Sequence, residues 1–511
     1  MTLSPRRHAL ASLVLGALAA TGQAPLGWSL LALLAFAGMA WILPRTKRPA
    51  RAGWFFGLAY FATALHWIVE PFLVDPETYG WMAPFALLFM CGGLALFWGL
   101  AGWLSARLNG GKGGTADPLI WALALSALEM ARGYVFTGFP WAAPGYLLLD
   151  TGYAQMASVV GVYGLTTLVL VFAALPAKIL MSQGAARAGL LGLGALILAS
   201  PLSQIELLPT PAEGPATQQP MPLIRLVQPS VAQEEKWDPT LRDKHFERLL
   251  TLTAAPSAQG VPDVIIWPES SVTIWLDLAE EEMRRMQEAA GEAEVIFGVQ
   301  SYVAGRYFNS LATLVPSSPM PQHVYNKSHL VPFGEYTPFF GLLRRFDVFG
   351  LTERSGGGFS PGEGARVLTL PKLGAFQPLI CYEGLFPQFV NRAPVRPDLM
   401  VLITNDGWFG DWAGPHQHLA KARMRSIEQA LPMLRGDNIG ISAVIDAKGA
   451  LVAQMGLGAE GVLDARLPPP SPATLYSRIG DAPLAVLLSV VLFGAGARAG
   501  RGLIDPPAEG V

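Results

Sequence analysis

The chain has 511 residues, of which 51% are hydrophobic and only 14% are charged. An average soluble protein has about 25% charged residues, so this composition and the mean hydropathy of +0.37 predict membrane-spanning segments. The formal net charge of −2 does not indicate a nucleic-acid partner, and none is expected. The two cysteines, Cys91 and Cys381, are too few for a disulfide framework, so any cysteine chemistry must use a free thiol.

Eight apolar stretches predict membrane helices. A helix crosses the hydrocarbon core with ~20 apolar residues, within a range of about 17–25. The first stretch also fits a cleaved signal peptide, because arginines precede it and small residues follow it. The second stretch follows at once, which favours a helical hairpin. The stretches cover about 9–22, 27–44, 53–69, 82–105, 118–136, 153–177, 188–203 and 481–497.

Positive charge alternates between the loops of this bundle and predicts its orientation. Every second loop is poor in lysine and arginine, so the positive-inside rule puts the basic loops in the cytoplasm. With eight spans, both termini are then cytoplasmic, and the long stretch between the seventh and eighth lies outside. The basic residues are Arg6, Arg7, Arg45, Lys47, Arg48, Arg51, Arg107, Lys112, Lys178, Arg187, Arg498 and Arg501.

Composition divides the chain into five predicted parts. Seven transmembrane helices are expected in the first part, followed by a linker rich in proline, threonine and glutamine, and then by an extracytoplasmic domain. An eighth helix and a cytoplasmic tail follow. The parts are residues 1–204, 205–221, 222–478, 479–497 and 498–511.

The extracytoplasmic part alternates short β-rich runs with helical segments, which predicts an α/β domain with a buried sheet. The expected fold class is therefore a multi-span helical membrane bundle with an inserted α/β domain. Helices are expected over about 238–252, 279–290 and 417–431. Strands are expected over about 223–227, 264–267, 295–299, 310–315, 378–381, 399–403 and 441–446, the last with a hairpin-like turn at Gly449.

Three patterns at or near predicted strand ends carry residues suited to catalysis. Glu269 follows Trp-Pro after a buried strand, Lys327 and Glu335 share the second pattern, and the third strand runs into Cys381 and Glu383. A thiol nucleophile needs a base or a nearby cation, and its oxyanion intermediate needs stabilisation. Taken singly, each residue is explained as well by packing, solvation or capping, but together they supply all three roles.

No pattern for a metal or a cofactor is found. The chain has no glycine-rich nucleotide loop, no HExxH and no CxxC pair, and His416 and His418 lack a nearby third ligand. We therefore expect neither a metal nor a cofactor. In the fifth apolar stretch, Glu129 and Arg132 are three residues apart and can pair on one helix face. They are either functional intramembrane charges or an ion pair that holds the helix end, and we prefer the second interpretation.

The three patterns resemble those of the nitrilase superfamily, whose Glu–Lys–Cys triad lies in an α–β–β–α sandwich. The resemblance is closer to its membrane-bound branch, the bacterial apolipoprotein N-acyltransferases, and covers nearly the whole chain. The chain departs from the family pattern at Pro229, Ser230, Gly436, Asp437 and Ile439, which affects substrate preference and not the triad. The matching motifs are GFPW at 138–141, VQ-x-S-x-x-Q-x-x-KWD at 227–238, WPES at 267–270, YNKSHLVPFGEYTP at 325–338, CYEG at 381–384, NDGWFGD at 405–411 and QHL at 417–419.

This resemblance implies an acyltransferase that works in two steps through a cysteine thioester. Cys381 would attack the ester of a phospholipid, and the α-amine of an N-terminal diacylglyceryl-cysteine on a lipoprotein would then take the acyl group, as the last step of lipoprotein maturation. Glu269 would accept the thiol proton, and Lys327 would favour the thiolate and stabilise the oxyanion. The implied setting is the bilayer of the bacterial inner membrane, with the catalytic domain on the periplasmic side.

Supporting residues are implied by the same resemblance. Glu335 and Glu383 would orient Lys327 and the nucleophile. The backbone N–H of Tyr382 would help to stabilise the oxyanion, and Trp237 would contact substrate.

An apolar stretch after Glu335 supports a lipid substrate without reference to the family. Its large apolar residues recur at helical spacing beside two arginines, and three glycines follow at 356–358. Such a stretch is suited to dip into the outer leaflet and gate a site. The alternative is a helix packed on the domain core. The candidate gate residues are Phe339, Leu342, Leu343 and Phe346.

Three other functions compete with acyl transfer to a lipoprotein. A membrane-tethered amidase would pass the acyl group to water, but the aromatic and aliphatic residues around the motifs argue against a small polar substrate. An acyltransferase for a different amine has the same motifs. A channel or scaffold would not require Cys381. The presence of Glu269 and Lys327 in matching patterns disfavours such a non-enzymatic function.

Overall fold

The structure is a computed structural model that describes residues 4–109, 115–199, 221–316, 318–338 and 358–504. The chain forms two compact units. The first unit comprises residues 1–208, 412–420 and 474–511, and the second comprises residues 209–411 and 421–473. The predicted linker, residues 205–221, lies outside the described residues except for its last position.

The first unit is helical. Its apolar helices form wherever the sequence has an uninterrupted hydrophobic run, and prolines at the first turns of several helices suit positions where no N–H partner is needed. Its helices are α1 (Pro5–Ala20), α2 (Ser29–Ile42), α3 (Pro49–Ala64), α4 (Pro76–Tyr79), α5 (Ala83–Arg107), α6 (Pro118–Arg132), α7 (Ala157–Met181), α8 (Gly184–Ala199), α13 (Leu475–Ile479) and α14 (Ala482–Ile504).

Each of the eight predicted apolar stretches contains a helix, but the count of eight spans is not confirmed. Among the described residues, three helical stretches are long and apolar enough to cross a membrane: Pro76–Arg107, Gly152–Met181 and Ala482–Ala499. A fourth is possible if Pro49–Ala64 and His66–Phe72, which meet at a 53° bend, form one broken span. The remaining stretches fall short because α1, α2, α6 and α8 have only 16, 14, 15 and 16 residues.

Glycines allow α3 and α5 to approach closely. A Cβ on Gly53 would lie 2.4 Å from the carbonyl oxygen of Trp98, and one on Gly102 would lie 2.4 Å from that of Pro49. Small residues at such crossings let two helix backbones pack without side chains between them. These two positions therefore exclude any larger residue unless the helices separate.

Glu129 and Arg132 form a buried ion pair in α6, as the structural interpretation of the sequence predicted. Their side chains are 0% and 1% exposed, and Arg132 Nη2 lies 2.6 Å from Glu129 Oε2. Trp98 Nε1 donates to Glu129 Oε1 at 2.8 Å, and Arg132 Nη1 donates to the carbonyl of Trp141 at 2.9 Å. The pair thus ties the end of α6 to the segment that follows it.

A short segment from the middle of the chain, residues 412–420, belongs to the helical unit. Gln417 Oε1 accepts hydrogen bonds from Trp141 Nε1 at 2.6 Å and from Trp67 Nε1 at 3.3 Å, and its Nε2 donates to the carbonyl of Ala64 at 2.9 Å. The QHL motif is therefore a packing element of this unit. His416 Nδ1 contacts the carbonyl oxygen of Trp412 at 2.6 Å.

The second unit contains two β-sheets. Their strands are β1 (Leu223–Gln228), β2 (Val264–Ile266), β3 (Val272–Trp275), β4 (Glu294–Val303), β5 (Arg306–Leu314), β6 (His323–Asn326), β7 (Leu368–Leu370), β8 (Gly374–Ile380), β9 (Leu399–Thr404), β10 (Met433–Asp437), β11 (Ala443–Ile445), β12 (Leu451–Gln454) and β13 (Gly461–Arg466). Its helices are α9 (Arg242–Thr253), α10 (Glu280–Ala290), α11 (Pro387–Val390) and the second half of α12 (Ala413–Gln429).

Parallel strands form the centre of each sheet. In the first sheet, β1, β2 and β4 are parallel to one another, and β13 pairs antiparallel with β1 at one side. At the other side, β5 pairs antiparallel with β4, and β6 pairs antiparallel with β5. In the second sheet, β8, β9 and β10 are parallel and are flanked by antiparallel β7 on one side and by β11 and β12 on the other. Parallel strands buried on both faces favour continuous apolar runs. β2 and β9 are such runs, whereas β1 contains the buried Arg225 and β10 contains the buried Arg435 and Asp437.

Two apolar cores hold the layers together. One core lies between the sheets and combines residues such as Ile224 and Ile266 of the first sheet with Ile380 and Val401 of the second. The other packs α9 and α10, through residues such as Met286, on the opposite face of the first sheet. Fully burying each such side chain contributes about 1.5–3 kcal/mol, so the apolar runs in the sequence fix which elements become layers.

The predicted α/β domain is confirmed, with differences in detail. α9 begins at Arg242 and not at 238, because Asp238 accepts hydrogen bonds from the N–H and hydroxyl of Thr240 and holds a turn there. The predicted strand over 441–446 is the shorter β11, and its turn at Gly449 does lead into antiparallel β12. Six strands of three to six residues were not predicted, because they are too short for periodicity to identify: β3, β6, β7, β10, β12 and β13.

Candidate active site

The predicted catalytic residues follow strands whose ends meet in the second unit. Glu269 lies three residues after β2, Lys327 directly follows β6, and Cys381 directly follows β8. The backbone N–H of Lys327 donates to the carbonyl of Asn309 on β5 at 2.8 Å, which extends the β5–β6 pairing by one residue. The carboxyl ends of parallel strands are where α/β folds place functional side chains.

Cys381 lies at a strained junction between a strand and a helix. Its φ of +47° is in the left-handed region, which costs a non-glycine residue of order 1–3 kcal/mol. The residue opens the short 3₁₀ helix Cys381–Leu385 and is only 6% exposed. A sharp turn at this point separates the thiol from the side chains of the strand, which is the arrangement expected for a nucleophile at a strand end.

Glu383 anchors this junction from inside the protein. Its Oε2 accepts from the N–H of Ile380 at 2.9 Å, and its Oε1 accepts from Tyr325 Oη at 2.8 Å and from the N–H groups of Ser328 and His329 at 2.7 and 3.2 Å. The carboxylate is fully buried, so burial raises its pKa, and the backbone donors act in the opposite direction. One side chain thus joins the segment around Cys381 to the segment that follows Lys327.

Lys327 is a buried cation between two carboxylates. Its Nζ lies 2.8 Å from Glu335 Oε1 and 3.6 Å from Glu269 Oε1, and its side chain is 1% exposed. Burial alone would lower the pKa of Lys327, but Glu335 and then Glu269 raise it, and the result lies above its usual value. The Lys327 side chain is therefore a charged ammonium near neutral pH.

Asn309 is a member of this cluster that the sequence analysis did not identify. Its Nδ2 donates to Glu269 Oε1 at 2.7 Å and to Glu335 Oε1 at 3.0 Å. Asn309 is 4% exposed and lies near the middle of β5. A polar residue at a buried strand position is a detectable signal, because burial is costly unless hydrogen bonds satisfy the group.

The thiol of Cys381 interacts electrostatically with both Glu269 and Lys327. Burial raises its pKa most, and the Glu269 carboxylate raises it further. Lys327 and a hydrogen bond with the Thr404 side chain lower it, but the pKa remains well above its usual value. The group at rest is therefore a protonated thiol, and its use as a nucleophile requires a proton acceptor.

A second buried charge cluster lies at the ends of the neighbouring strands β9 and β10. Arg435 Nη2 lies 2.5 Å from Asp406 Oδ2, and its Nη1 lies 2.7 Å from Asp437 Oδ2; all three side chains are fully buried. Thr404 Oγ1 donates to Asp406 Oδ1 at 3.0 Å. One guanidinium therefore binds two carboxylates, and Asp437 is one of the positions at which the chain departs from the family pattern.

Asp437 predicts a dependence of stability on pH. Burial and then the Asp406 carboxylate raise its pKa from 3.8 to about 7. The folded protein then holds a proton at Asp437 that the unfolded chain has released, so the contribution of Asp437 to the free energy of unfolding should fall as pH rises from about 4 to about 7 and should level off above that. Thermal unfolding in detergent between pH 4 and pH 8 measures this slope.

Asp437→Asn should flatten this slope relative to the unmodified protein. Asp243→Asn is the matched control, because that carboxylate is 92% exposed and its removal should leave the slope unchanged. A slope that is equally steep in the Asp437→Asn variant would contradict the assignment.

The remaining predicted residues are placed as follows. Tyr382 is 6% exposed, and its ring lies 4.9 Å from that of Phe386 and 5.6 Å from that of His329, measured between centroids. Trp237 lies in the loop between β1 and α9 and is 46% exposed. The candidate gate residues, 339–346, lie outside the described residues.

Comparison with protein families agrees with this architecture. Residues 223–473, which include both sheets, match the family described as Carbon-nitrogen hydrolase. The second unit is therefore an enzyme domain of the carbon–nitrogen hydrolase class. Residues 15–175 of the helical unit match the family described as Apolipoprotein N-acyltransferase N-terminal domain.

Full-length relatives define the family more narrowly. The chain is 35% identical to the apolipoprotein N-acyltransferase of Rhodopseudomonas palustris over 95% of this chain and 94% of that one. It is 38% identical to the enzyme of Caulobacter vibrioides over 96% and 94%, and 36% identical to that of Bradyrhizobium diazoefficiens over 95% and 94%. The chain belongs to the apolipoprotein N-acyltransferase family, and its resemblance to that family is confirmed.

Proposed function

We propose that this membrane acyltransferase moves a fatty acyl chain from a phospholipid to the α-amine of the N-terminal diacylglyceryl-cysteine of lipoproteins, through a thioester on Cys381. The observation that carries the mechanism is the meeting of a buried thiol, a buried ammonium and a carboxylate at strand ends. The relatives support the choice of a lipoprotein as the acyl acceptor, since every relative compared above is named as an apolipoprotein N-acyltransferase.

In the first half-reaction, Glu269 takes the proton of the Cys381 thiol. The thiolate attacks the ester carbonyl carbon, the C–S bond forms, and the bond to the glycerol oxygen breaks. The leaving alkoxide takes the proton from Glu269, which releases a lysophospholipid. The raised pKa of Cys381 supports the need for a base, because few molecules hold a free thiolate at neutral pH.

In the second half-reaction, the α-amine of the lipoprotein attacks the thioester carbonyl. Glu269 accepts the proton that the amine loses, the C–S bond breaks, and the thiolate is regenerated and then takes the proton back. Both halves pass through a tetrahedral oxyanion. Lys327 supplies positive charge to it, and the N–H of Tyr382 supplies a hydrogen bond. The contacts of the Lys327 ammonium with the carboxylates of Glu269 and Glu335 hold it in place.

Burial protects the proposed intermediate from hydrolysis. Cys381, Lys327 and Glu269 are 6%, 1% and 7% exposed, so a thioester at this position meets little bulk water. Water is abundant and an amine is scarce, so exclusion of water decides whether the acyl group is transferred or lost. Glu335 and Glu383 are supporting residues that position Lys327 and the strained turn.

The membrane setting follows from the charge pattern of the chain. We place eight spans in the bacterial inner membrane, with both termini in the cytoplasm, residues 222–478 as a periplasmic catalytic domain and residues 498–511 as a cytoplasmic tail. The bilayer then delivers the phospholipid donor, and Phe339, Leu342, Leu343 and Phe346 gate its entry. Trp237, with its half-exposed indole, contacts the substrate.

Intact-mass analysis tests the proposal directly. Incubation of the purified protein with phospholipid alone should add the mass of one acyl group, and later addition of a diacylglyceryl-cysteine peptide should remove it and yield an N-acylated peptide. Cys91→Ala is the matched control and should behave like the unmodified protein. Free fatty acid in place of acylated peptide would instead identify a hydrolase, and the absence of any added mass would contradict the thioester.

A further inference from the structure

Lys236 is a second buried lysine beside the candidate active site, and nothing in the proposed mechanism uses it. It precedes Trp237 in the loop between β1 and α9 and is 6% exposed. Its Nζ donates to the backbone carbonyl oxygen of Glu269 at 2.9 Å. Among the described residues, Lys236 forms no salt bridge within 4 Å, so its charge is only partly compensated.

A buried ammonium without a carboxylate partner is costly, since its charge loses the solvation of water. Burial lowers the pKa of Lys236 to about 8, while Glu269, Asp437 and Cys381 oppose this shift. The protein thus holds a cation near the thiol at a cost in stability. Such uncompensated buried charges are most frequent at functional sites.

The hydrogen bond to Glu269 joins Lys236 to a strained part of the backbone. Ser270, the next residue, has a φ of +47°, and a Cβ on Gly298 would lie 2.6 Å from the Cα of Glu269. The segment that presents the Glu269 carboxylate is therefore tightly confined, and the ammonium binds its carbonyl by a charge-assisted hydrogen bond. Lys236 also borders a cavity of about 60 Å³ with Ser270 and Asn438, which has room for a few water molecules.

We propose that Lys236 is a positioning residue of the catalytic centre, which fixes the Glu269 backbone and adds a second positive charge in the field of the Cys381 thiol. This inference rests on the proposed role of Cys381 as the nucleophile. The charged groups that act on the thiol are then Glu269 and Asp406, which disfavour the thiolate, and Lys327 and Lys236, which favour it. Asp437, bound to Arg435, faces Lys236 from the second sheet.

The test is the pH dependence of Cys381 alkylation by iodoacetamide, read by peptide mass spectrometry on the full-length protein. Lys236→Gln keeps a hydrogen-bond donor for the Glu269 carbonyl but removes the charge. Below about pH 8, where Lys236 of the unmodified protein is charged, alkylation of Cys381 should be about tenfold slower in this variant, which corresponds to a thiol pKa about one unit higher. The difference should shrink above about pH 8, where Lys236 of the unmodified protein itself loses its proton.

Two control variants accompany Lys236→Gln. Lys236→Arg keeps the charge and should keep the original alkylation rate below about pH 8. Lys244→Met, which removes an exposed lysine from α9, should have no effect at any pH. A Lys236→Gln profile that superimposes on that of the unmodified protein would overturn the proposal and leave Lys236 a structural residue. If the Gln variant does not fold, the same comparison with Lys236→Met decides the matter.

Alkylation needs neither lipid nor lipoprotein, so this outcome is separate from that of the proposed function. Turnover that persists in Cys381→Ala would overturn the thioester mechanism whatever the alkylation profile shows. An unshifted profile with normal acyl-enzyme formation would overturn only the role of Lys236.

Discussion

Cys381→Ala is expected to abolish both half-reactions, with no acyl-enzyme detectable by mass and no acylated peptide formed. The reason is that the thioester has no other place to form: Cys91 is the only other cysteine, and it is a buried residue of α5 in the helical unit. Radiolabelled or mass-labelled phospholipid measures the first step, and peptide acylation measures the second.

Two further variants sharpen this expectation. Cys91→Ala should leave both steps nearly intact, which shows that loss of a buried thiol is not harmful in itself. Cys381→Ser keeps a nucleophilic atom, but the hydroxyl has a far higher pKa than a thiol, so Glu269 is too weak a base to activate it. Retained turnover in Cys381→Ala would remove the thioester mechanism, and full turnover in Cys381→Ser would show that Glu269 is not limited to activating a thiol.

Glu269→Gln and Lys327→Met are expected to cause the next largest losses. Removal of a general base typically costs about 10²–10⁴-fold, or roughly 3–5 kcal/mol of barrier. Removal of an oxyanion-stabilising group costs about 10²–10³-fold. Since these ranges overlap, the size of each loss does not identify the role of either residue, and the pH profile must do so.

The two variants should differ in how their acylation rates respond to pH. In Glu269→Gln, a rise in pH toward the pKa of the thiol should restore part of the rate, because solvent then supplies the thiolate. In Lys327→Met, the pKa of Cys381 should rise further, since Lys327 lowers it in the unmodified protein. High pH should help this variant less, because the oxyanion still lacks its cation.

A check of folding must accompany these profiles. Lys327→Met leaves the carboxylates of Glu269 and Glu335 without the ammonium between them, and loss of one partner of a buried pair costs about 3–5 kcal/mol. Thermal unfolding in detergent distinguishes such instability from a catalytic defect. Identical pH–rate profiles in the two folded variants would show that the roles are wrongly assigned, even if both residues are essential.

Local patterns in the sequence were sufficient to place two of the three candidate catalytic residues at strand ends. Glu269 and Cys381 follow apolar runs that form β2 and β8, whereas Lys327 follows β6, a short strand that was not predicted. Apolar runs also predicted the helices of the first unit, but not how many cross the membrane. That count depends on helix length, and turns or bends shorten several of the stretches, as at the 53° break after Ala64.

The sequence by itself therefore determined the two kinds of unit, the family and the residues that are candidates for chemistry, because these depend on local composition and on motifs. Only the tertiary structure decided which polar and charged side chains lie in contact with one another. Asn309 bridges Glu269 and Glu335 from β5, and Lys236 reaches the backbone of Glu269 from 33 residues away. Such contacts arise from sheet register and loop packing, which join residues distant in the chain, and burial then gives these few charges their large mutual effects.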